Sequence, residues 1–345
     1  MEDFKFENKH IIITGGAGFI GANLVNVLSK YDNIKITVID NLWRGDKQYI
    51  SDISNVLIIE EDLTDYEICK KYIKNADLVY HLAEIVCGVD YAFNNQSFIY
   101  RQNILINSNV LSASIENNIK NYVYVGSACS YPKINQNRKD LNYFSEEDVH
   151  PLSPETSYGM SKYLGEYEAE LAQNDKKINV GILRLHNVYG EYSSLDSKLS
   201  QVIPSLIVRL LNSDNILQVW GSGEQYRDFI YVGDVIEALL LVSQKGMNKG
   251  VIQIGTGKAT KISDLANILL EINEKHSDRK IKSDRKIKSD RKIKLEFDTT
   301  KLEGDFGRLS INNKANELLG WYPKVNIYDG LEKTFKWIFR NYNTR

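Results

Sequence analysis

The stretch Ile11–Gly21, I-I-I-T-G-G-A-G-F-I-G, joins an apolar run to a segment with helical spacing of apolar residues. It predicts a first β-strand, a tight glycine turn and the start of a helix. Gly15 and Gly18 allow the backbone to approach a pyrophosphate closely, and Gly21 lets the helix pack on the strand. The free N–H groups and the dipole of the helix N-terminus favour the phosphate charge. The stretch therefore predicts a dinucleotide site.

A second predicted strand, Lys35–Asp40, ends in a carboxylate about 20 residues after the glycine turn. Asp40 is expected to accept a hydrogen bond from a ribose hydroxyl, and its charge would repel a 2′-phosphate. The cofactor is therefore predicted to be NAD, with Asn41 beside its adenosine. Asp62 follows a third predicted strand, Val56–Glu60, and is expected either to accept from the adenine amino group or to cap a helix.

Strands and helices alternate through the first half of the chain, which predicts an α/β fold with a doubly wound parallel sheet of Rossmann type. The alternation loosens later, and a smaller, discontinuous α/β substrate-binding domain is predicted there. The NAD-binding domain is expected over residues 1–186 and about 226–256. The second domain would then take about 187–225 and 257–345.

Bulk properties narrow the classes of partner. The 345 residues carry a net charge of −2, so neither nucleic acid nor a membrane is an expected partner. The charged start of the chain is unlike a targeting signal, and the three cysteines have no metal spacing. A cytoplasmic protein without a metal is expected. Residues 277–294 repeat S-D-R-K-I-K three times, which predicts a solvated loop rather than a basic interaction tract.

Ser127, Tyr158 and Lys162 form the predicted catalytic group. Tyr158 and Lys162 lie four residues apart, on one face of a predicted helix. The ammonium is expected to lower the tyrosine pKa, so that Tyr158 takes a hydroxyl proton while the carbon gives hydride to a nicotinamide. Ser127, just past the fifth predicted strand, can hydrogen-bond the same oxygen.

These motifs resemble the extended short-chain dehydrogenases/reductases that modify nucleotide sugars, over essentially the whole chain. Matching segments include T-G-G-A-G-F-I-G, H-L-A, Y-G-M-S-K, R-L-H-N-V-Y-G and L-G-W-Y-P. The resemblance implies that Asn187, Arg227 and Arg308 hold the nucleotide diphosphate. It also implies a homodimer formed by the helices at about 98–118 and 156–172.

The segment S-A-C-S-Y-P after the fifth strand resembles GDP-mannose 3,5-epimerases, in which the cysteine moves a proton beside a keto carbon. Related dehydratases and decarboxylases carry acids there, whereas this chain has Ala128 and Cys129. Two departures stand out. Gln201 occupies the place of a second proton carrier, and the nearest lysine is Lys198. Glu84 replaces a small residue, and its carboxyl group is a further candidate for the acid or base.

The sequence thus predicts NAD-dependent oxidation of a nucleotide sugar at C4, on a GDP-mannose or heptose derivative, with C3/C5 epimerisation open. The alternatives are a UDP-sugar 4-epimerase, a 4,6-dehydratase and a silent NAD-binding scaffold. The predicted catalytic residues are Ser127, Tyr158, Lys162 and Cys129. The predicted cofactor contacts are Gly15, Gly18, Phe19, Ile20, Asp40, Asn41, Asp62, Leu63, Leu82, Ala83, Tyr158 and Lys162. The predicted substrate contacts are Glu84, Cys87, Ser127, Asn187, Lys198, Arg227 and Arg308.

Overall fold

A computed structural model describes residues 4–86, 88–133, 141–196, 199–277, 293–301 and 306–342. Its large sheet is built from β1 (His10–Thr14), β2 (Lys35–Asp40), β3 (Val56–Glu60), β4 (Leu78–His81), β5 (Asn121–Ser127), β7 (Asn179–Leu185) and β11 (Val251–Ile254). All seven strands are parallel, in the order β3-β2-β1-β4-β5-β7-β11. This order reverses between β1 and β4, which opens a crevice beyond their carboxyl ends.

Helices cover both faces of this sheet, so its strands are apolar on both sides. Ile11 and Ile13 of β1 pack into the core on one face, and Ile12 packs into the core on the other. The helices concerned are α1 (Phe19–Leu28), α2 (Tyr66–Tyr72), α4 (Gln96–Glu116), α5 (Ser157–Asn174) and α7 (Val232–Lys245). A short helix, α3 (Val89–Asn94), precedes α4. The predicted doubly wound α/β fold is confirmed.

A second sheet lies in the later part of the chain. It comprises β6 (Asn142–Phe144), β8 (Asn187–Tyr189), β10 (Tyr226–Tyr231), β12 (Ala259–Lys261) and β14 (Gly307–Ser310). A parallel pair is formed by β9 (Ile216–Trp220) and β13 (Lys294–Asp298). The remaining helices are α6 (Val202–Asn212), α8 (Ile262–Ser277), α9 (Asn313–Leu319) and α10 (Ile327–Tyr342). Apolar residues of α6, α8 and α10, including Leu206, Leu269 and Phe335, form a separate core.

The strand pairing bears on the predicted domain limits. Strand β10 hydrogen-bonds with β8, β12 and β14 of the second sheet, whereas β11 joins the large sheet beside β7. The segment from about 226 to 256 is therefore shared between the sheets, and the domain limits remain predictions. Most of the S-D-R-K-I-K tract, residues 278–292, lies outside the described residues, between α8 and β13.

A buried ion pair ties α5 to the large sheet. The Arg184 guanidinium on β7 donates to both carboxylate oxygens of Glu166, at 3.1 and 2.6 Å, and both side chains are 2 % exposed. Arg184 also donates to the carbonyl of Glu146 (2.9 Å) and lies over the ring of Tyr131. A Cβ on Gly126 would meet the Glu166 carboxylate, so glycine at the end of β5 makes room for the pair. The pair thereby fixes α5 against β7, which is the neighbour of the strand that ends at Ser127.

Candidate active site

The glycine turn after β1 has the geometry that a pyrophosphate requires. Gly15 adopts φ +68°, and a Cβ there would lie 2.7 Å from the backbone nitrogen of Ala83. Helix α1 begins at Phe19, with Gly18 as its N-cap and no side chain covering the first N–H groups. The turn therefore presents bare backbone at a helix N-terminus, the arrangement that binds dinucleotide phosphates.

Asp40, at the end of β2, joins the glycine turn to the loop after β2. Its carboxylate accepts from the backbone N–H of Ala17 (3.0 Å) and from that of Leu42 (2.8 Å). Burial raises the pKa of Asp40, and the backbone hydrogen bonds oppose that shift. The carboxylate lines the crevice, as a ribose-binding group must. It also has a structural role that the sequence analysis did not predict.

We predict that Asp40→Ala weakens NAD binding by the strength of a charged hydrogen bond, about 1.5–3 kcal/mol. The same variant loses part of the discrimination against NADP, because the charge that repels a 2′-phosphate is gone. Calorimetric titration with both nucleotides measures this. Asp65→Asn, which removes the exposed N-cap carboxylate of α2, is the matched control. Equal affinity of the unaltered protein for NAD and NADP would contradict the assignment.

Asp62 lines the crevice and accepts from the N–H and hydroxyl of Thr64, at 2.9 and 2.8 Å. The predicted alternative, that Asp62 caps the next helix, is wrong, because α2 begins at Tyr66 and Asp65 is its N-cap. All predicted cofactor residues line this one crevice: Gly15, Gly18, Phe19, Ile20, Asp40, Asn41, Asp62, Leu63, Leu82, Ala83, Tyr158 and Lys162. Their contact with a cofactor remains a prediction.

Ser127, Tyr158 and Lys162 meet at the crevice from β5 and α5. The Lys162 ammonium donates to the carbonyl of Val125 (2.6 Å) and lies 5.9 Å from the centre of the Tyr158 ring. It also forms an ion pair with Glu84 at 2.6 Å. The fold thus brings together a hydroxyl, a phenol and an ammonium from a segment in which Ser127 and Lys162 are 35 residues apart.

The expectation that Lys162 lowers the tyrosine pKa is wrong for this structure. The pKa of Tyr158 is well above its usual range, first because the phenol is enclosed by protein and then because of the negative charge of Glu84. The charge of Cys129 acts in the same direction, and a hydrogen bond with Ser127 opposes it. Lys162 already has a carboxylate partner, so its charge is largely cancelled at the phenol.

Cys129 lies in a short 3₁₀ turn, Ala128–Ser130, directly after Ser127. Its backbone N–H donates to the Ser127 hydroxyl (3.2 Å), and its thiol is free and partly exposed. Gly159 on α5 lacks the Cβ that would collide with the Cys129 carbonyl. The cysteine therefore lies against the start of the helix that carries Tyr158.

The predicted diphosphate ligands lie on the second sheet. Arg227 on β10 and Arg308 on β14 are register partners on adjacent parallel strands. Arg308 donates to the carbonyl of Ala128, beside Cys129. Asn187 on β8 donates to the carbonyl of Asp228 (3.2 Å) on β10. Arg308 therefore contacts the turn that carries Cys129, but Asn187, Arg227 and Arg308 are not among the residues that line the crevice.

Two predicted substrate residues, Cys87 and Lys198, lie outside the described residues. Further residues that line the crevice include Trp43, Arg44, His186 and Gln201. Arg44 donates to the carbonyl of Val86 (3.1 Å), which joins the loops after β2 and β4. In the sequence, the position of Arg44 shortly after Asp40 indicates that it lies near the cofactor site.

Within the described part of the chain, no helix is both long and apolar enough to cross a membrane. In the same residues, no three His, Cys, Asp or Glu side chains are grouped so that they could hold a metal ion.

A glycine turn with bare N–H groups, a carboxylate at the end of β2 and a Ser-Tyr-Lys group define a dinucleotide-dependent enzyme of the short-chain dehydrogenase/reductase type. Residues 11–255 match the model of the NAD dependent epimerase/dehydratase family. The chain belongs to that family and is an NAD-dependent enzyme of its extended, nucleotide-sugar-modifying branch.

Three similar proteins illustrate the range of the family. A protein of Methanocaldococcus jannaschii provisionally named as a UDP-glucose 4-epimerase is 29% identical, over 97% of this chain and 100% of its own. The GDP-mannose 3,5-epimerase of Arabidopsis thaliana is 27% identical, over 96% and 82%. The structure of the Thermotoga maritima UDP-glucose 4-epimerase with UDP-glucose is 27% identical and superposes with a TM-score of 0.80, over 96% and 99%.

Proposed function

We propose that this enzyme oxidises a nucleotide sugar at C4 and releases an epimerised sugar or a 4-keto sugar. The observation that carries the proposal is the meeting of Ser127, Tyr158 and Lys162 at the crevice lined by the glycine turn. NAD, when bound, accepts a hydride from a sugar carbon and can return it. Tyr158 takes the proton of the C4 hydroxyl, and Ser127 hydrogen-bonds the same oxygen.

A GDP-activated mannose or heptose derivative is the proposed substrate. Ala128 and Cys129 follow Ser127 where related dehydratases carry acids, and the Arabidopsis relative is a GDP-mannose 3,5-epimerase. A C4 ketone acidifies the hydrogens on C3 and C5, and a thiolate can remove one of them. Arg227, Arg308 and Asn187 would hold the diphosphate, a task that suits the permanent charge and forked donors of arginine.

A UDP-sugar 4-epimerase is the second candidate, and Gln201 favours it. This amide lines the crevice but cannot deliver a proton, so the second base expected of a 3,5-epimerase is missing there. In a 4-epimerase the sugar turns over between two hydride steps, and Cys129 takes no part. The Thermotoga relative is a UDP-glucose 4-epimerase.

A panel of GDP-, UDP- and dTDP-sugars, incubated with the purified enzyme in heavy water, separates these reactions. Mass spectrometry identifies the product and counts the deuterium it has gained. We predict that Cys129→Ala abolishes deuterium exchange at C3 or C5 while the sugar still reduces bound NAD, because Tyr158 and Lys162 carry that step.

The outcome for the unaltered enzyme decides between the candidates. Exchange that depends on Cys129 supports the 3,5-epimerase. A C4-inverted product without deuterium supports the 4-epimerase and makes Cys129 a packed thiol. Cys69→Ala removes a fully buried thiol on α2 and controls for nonspecific effects of losing a cysteine.

A homodimer through α4 and α5 is also proposed. These two helices pack against each other and expose large apolar side chains, among them Leu105, Tyr167 and Leu171. Sedimentation velocity measures the oligomeric state directly.

A further inference from the structure

Glu84 is a buried acid inside the catalytic group. It follows β4, lines the crevice, and its side chain is only 1 % exposed. One carboxylate oxygen lies 2.6 Å from the Lys162 ammonium. The other accepts from the hydroxyl of Tyr124 (3.0 Å) and from the amide of Asn107 (3.2 Å). The carboxylate is therefore held in one orientation, against the lysine on which Tyr158 depends.

The ion pair with Glu84 changes the electrostatic effect of Lys162 on the phenol of Tyr158. A lone ammonium near a phenol stabilises the tyrosinate, whereas an ammonium with a carboxylate at contact distance has almost no net charge at that range. Enclosure by protein strengthens both interactions, because water screens them less. The catalytic tyrosine of this chain therefore feels a neutral pair.

We propose that Glu84 is the counter-ion of Lys162 and sets the pH range in which Tyr158 takes a proton from the sugar hydroxyl. Glu84 acts through Lys162 and is a positioning residue. The proposal rests on the proposed function, because it assumes that Tyr158 is the proton acceptor. It predicts that this enzyme works at higher pH than a variant in which Lys162 has no carboxylate partner.

Other titratable groups face Glu84, Lys162 and Tyr158. They act on Tyr158 equally in the unaltered enzyme and in a variant that lacks the Glu84 charge. Burial lowers the pKa of His81 on β4 to about 3, so this side chain stays neutral at working pH. Arg44 favours the tyrosinate, and Cys129 disfavours it. The groups around Glu84 and Tyr158 are Lys162 on α5, Tyr124 on β5, His81 on β4, Cys129 in the turn after β5 and Arg44 after β2.

Glu84→Gln tests the proposal, since glutamine keeps the size of the side chain and its acceptor oxygen but removes the charge. Glu168→Gln is the matched control, because it neutralises a half-buried carboxylate on α5 that accepts from the hydroxyl of Ser108 (2.9 Å). On the acidic limb of the pH profile, the rate follows the ionised fraction of the tyrosine. On this limb we expect the sugar to reduce bound NAD about tenfold faster in Glu84→Gln than in the unaltered enzyme, which is the effect of a one-unit pKa change.

A second readout does not need a substrate. With tyrosine labelled at ¹³Cζ, the signal missing from Tyr158→Phe belongs to Tyr158, and its titration is followed between pH 7 and 11. The signal should move towards the tyrosinate position at lower pH in Glu84→Gln than in the unaltered enzyme or in Glu168→Gln.

Each outcome decides the question. Identical Tyr158 titrations, including no movement in either protein, would overturn the proposal. So would equal slowing of Glu84→Gln at every pH, which would make Glu84 itself the group that moves a proton. If no sugar is oxidised but the Tyr158 titration shifts, the proposed function fails and the counter-ion role stands. If Glu84→Gln does not fold, Glu84→Asp takes its place. Tyr158 must then titrate at a lower pH in Glu84→Asp than in the unaltered enzyme, or the proposal fails.

Discussion

Tyr158→Phe should slow sugar oxidation by about 100-fold or more while NAD binding and folding stay intact. The substitution removes one hydroxyl, and with it the group that takes the proton of the sugar C4 hydroxyl. General acid–base groups contribute on this scale. Single-turnover reduction of bound NAD, followed at 340 nm, reports the step without interference from product release.

Tyr167→Phe is the matched control, because it removes the same atom from an exposed position on the same helix. It should leave the rate within about twofold of the unaltered enzyme. Near-full oxidation by Tyr158→Phe would show that another group takes the proton.

Glu166→Ala should lower the free energy of unfolding by about 3–5 kcal/mol, the cost of leaving a buried charge without its partner. Arg184 would keep its position between β7 and α5 with no carboxylate to accept its two N–H groups. Chemical denaturation followed by circular dichroism measures this change.

The control for Glu166→Ala is Glu116→Ala on α4. Glu116 pairs with Lys70 at 3.0 Å, and both side chains are about half exposed. Exposed ion pairs contribute about 0–1 kcal/mol, so this change should be small. Equal effects of the two substitutions would show that the Arg184 pair contributes no more than a surface contact. Any loss of activity in Glu166→Ala should follow its stability, because neither Glu166 nor Arg184 lines the crevice.

The parts of the site predicted from sequence are those encoded within one strand–turn–helix unit. Gly15 and Asp40 are separated by helix α1 and strand β2, and parallel pairing of β1 with β2 brings them together. Tyr158 and Lys162 share one helical face. In each case a short-range rule fixes the geometry, and the structure places these residues on the crevice as expected.

The unpredicted parts depend on pairings across long stretches of chain. Glu84 and Lys162 are 78 residues apart, and they meet because β4, β5 and α5 pack side by side. Glu84 stands out in the sequence, but its partner does not. The predicted direction of the Tyr158 pKa was wrong first because the enclosure of the phenol by protein is not visible in the sequence, and then because of the charge of Glu84. The individual strands of the second sheet were not identified from the sequence for another reason. Strands such as β8 and β12 have three residues, too few to show any hydrophobic alternation.

The central claim is that Tyr158 initiates oxidation of the sugar at C4, and an isotope at that carbon tests it most directly. The sugar nucleotide that the panel identifies is prepared with deuterium at C4 and incubated with stoichiometric enzyme. The cofactor is then released and weighed by mass spectrometry. We predict reduced cofactor that carries one deuterium in the unaltered enzyme, and about 100-fold slower labelling in Tyr158→Phe. Because the deuteride can return to the sugar, samples are quenched throughout the first turnover. Product that forms with no deuterated cofactor at any of these times, or equal labelling in Tyr158→Phe, would contradict the account.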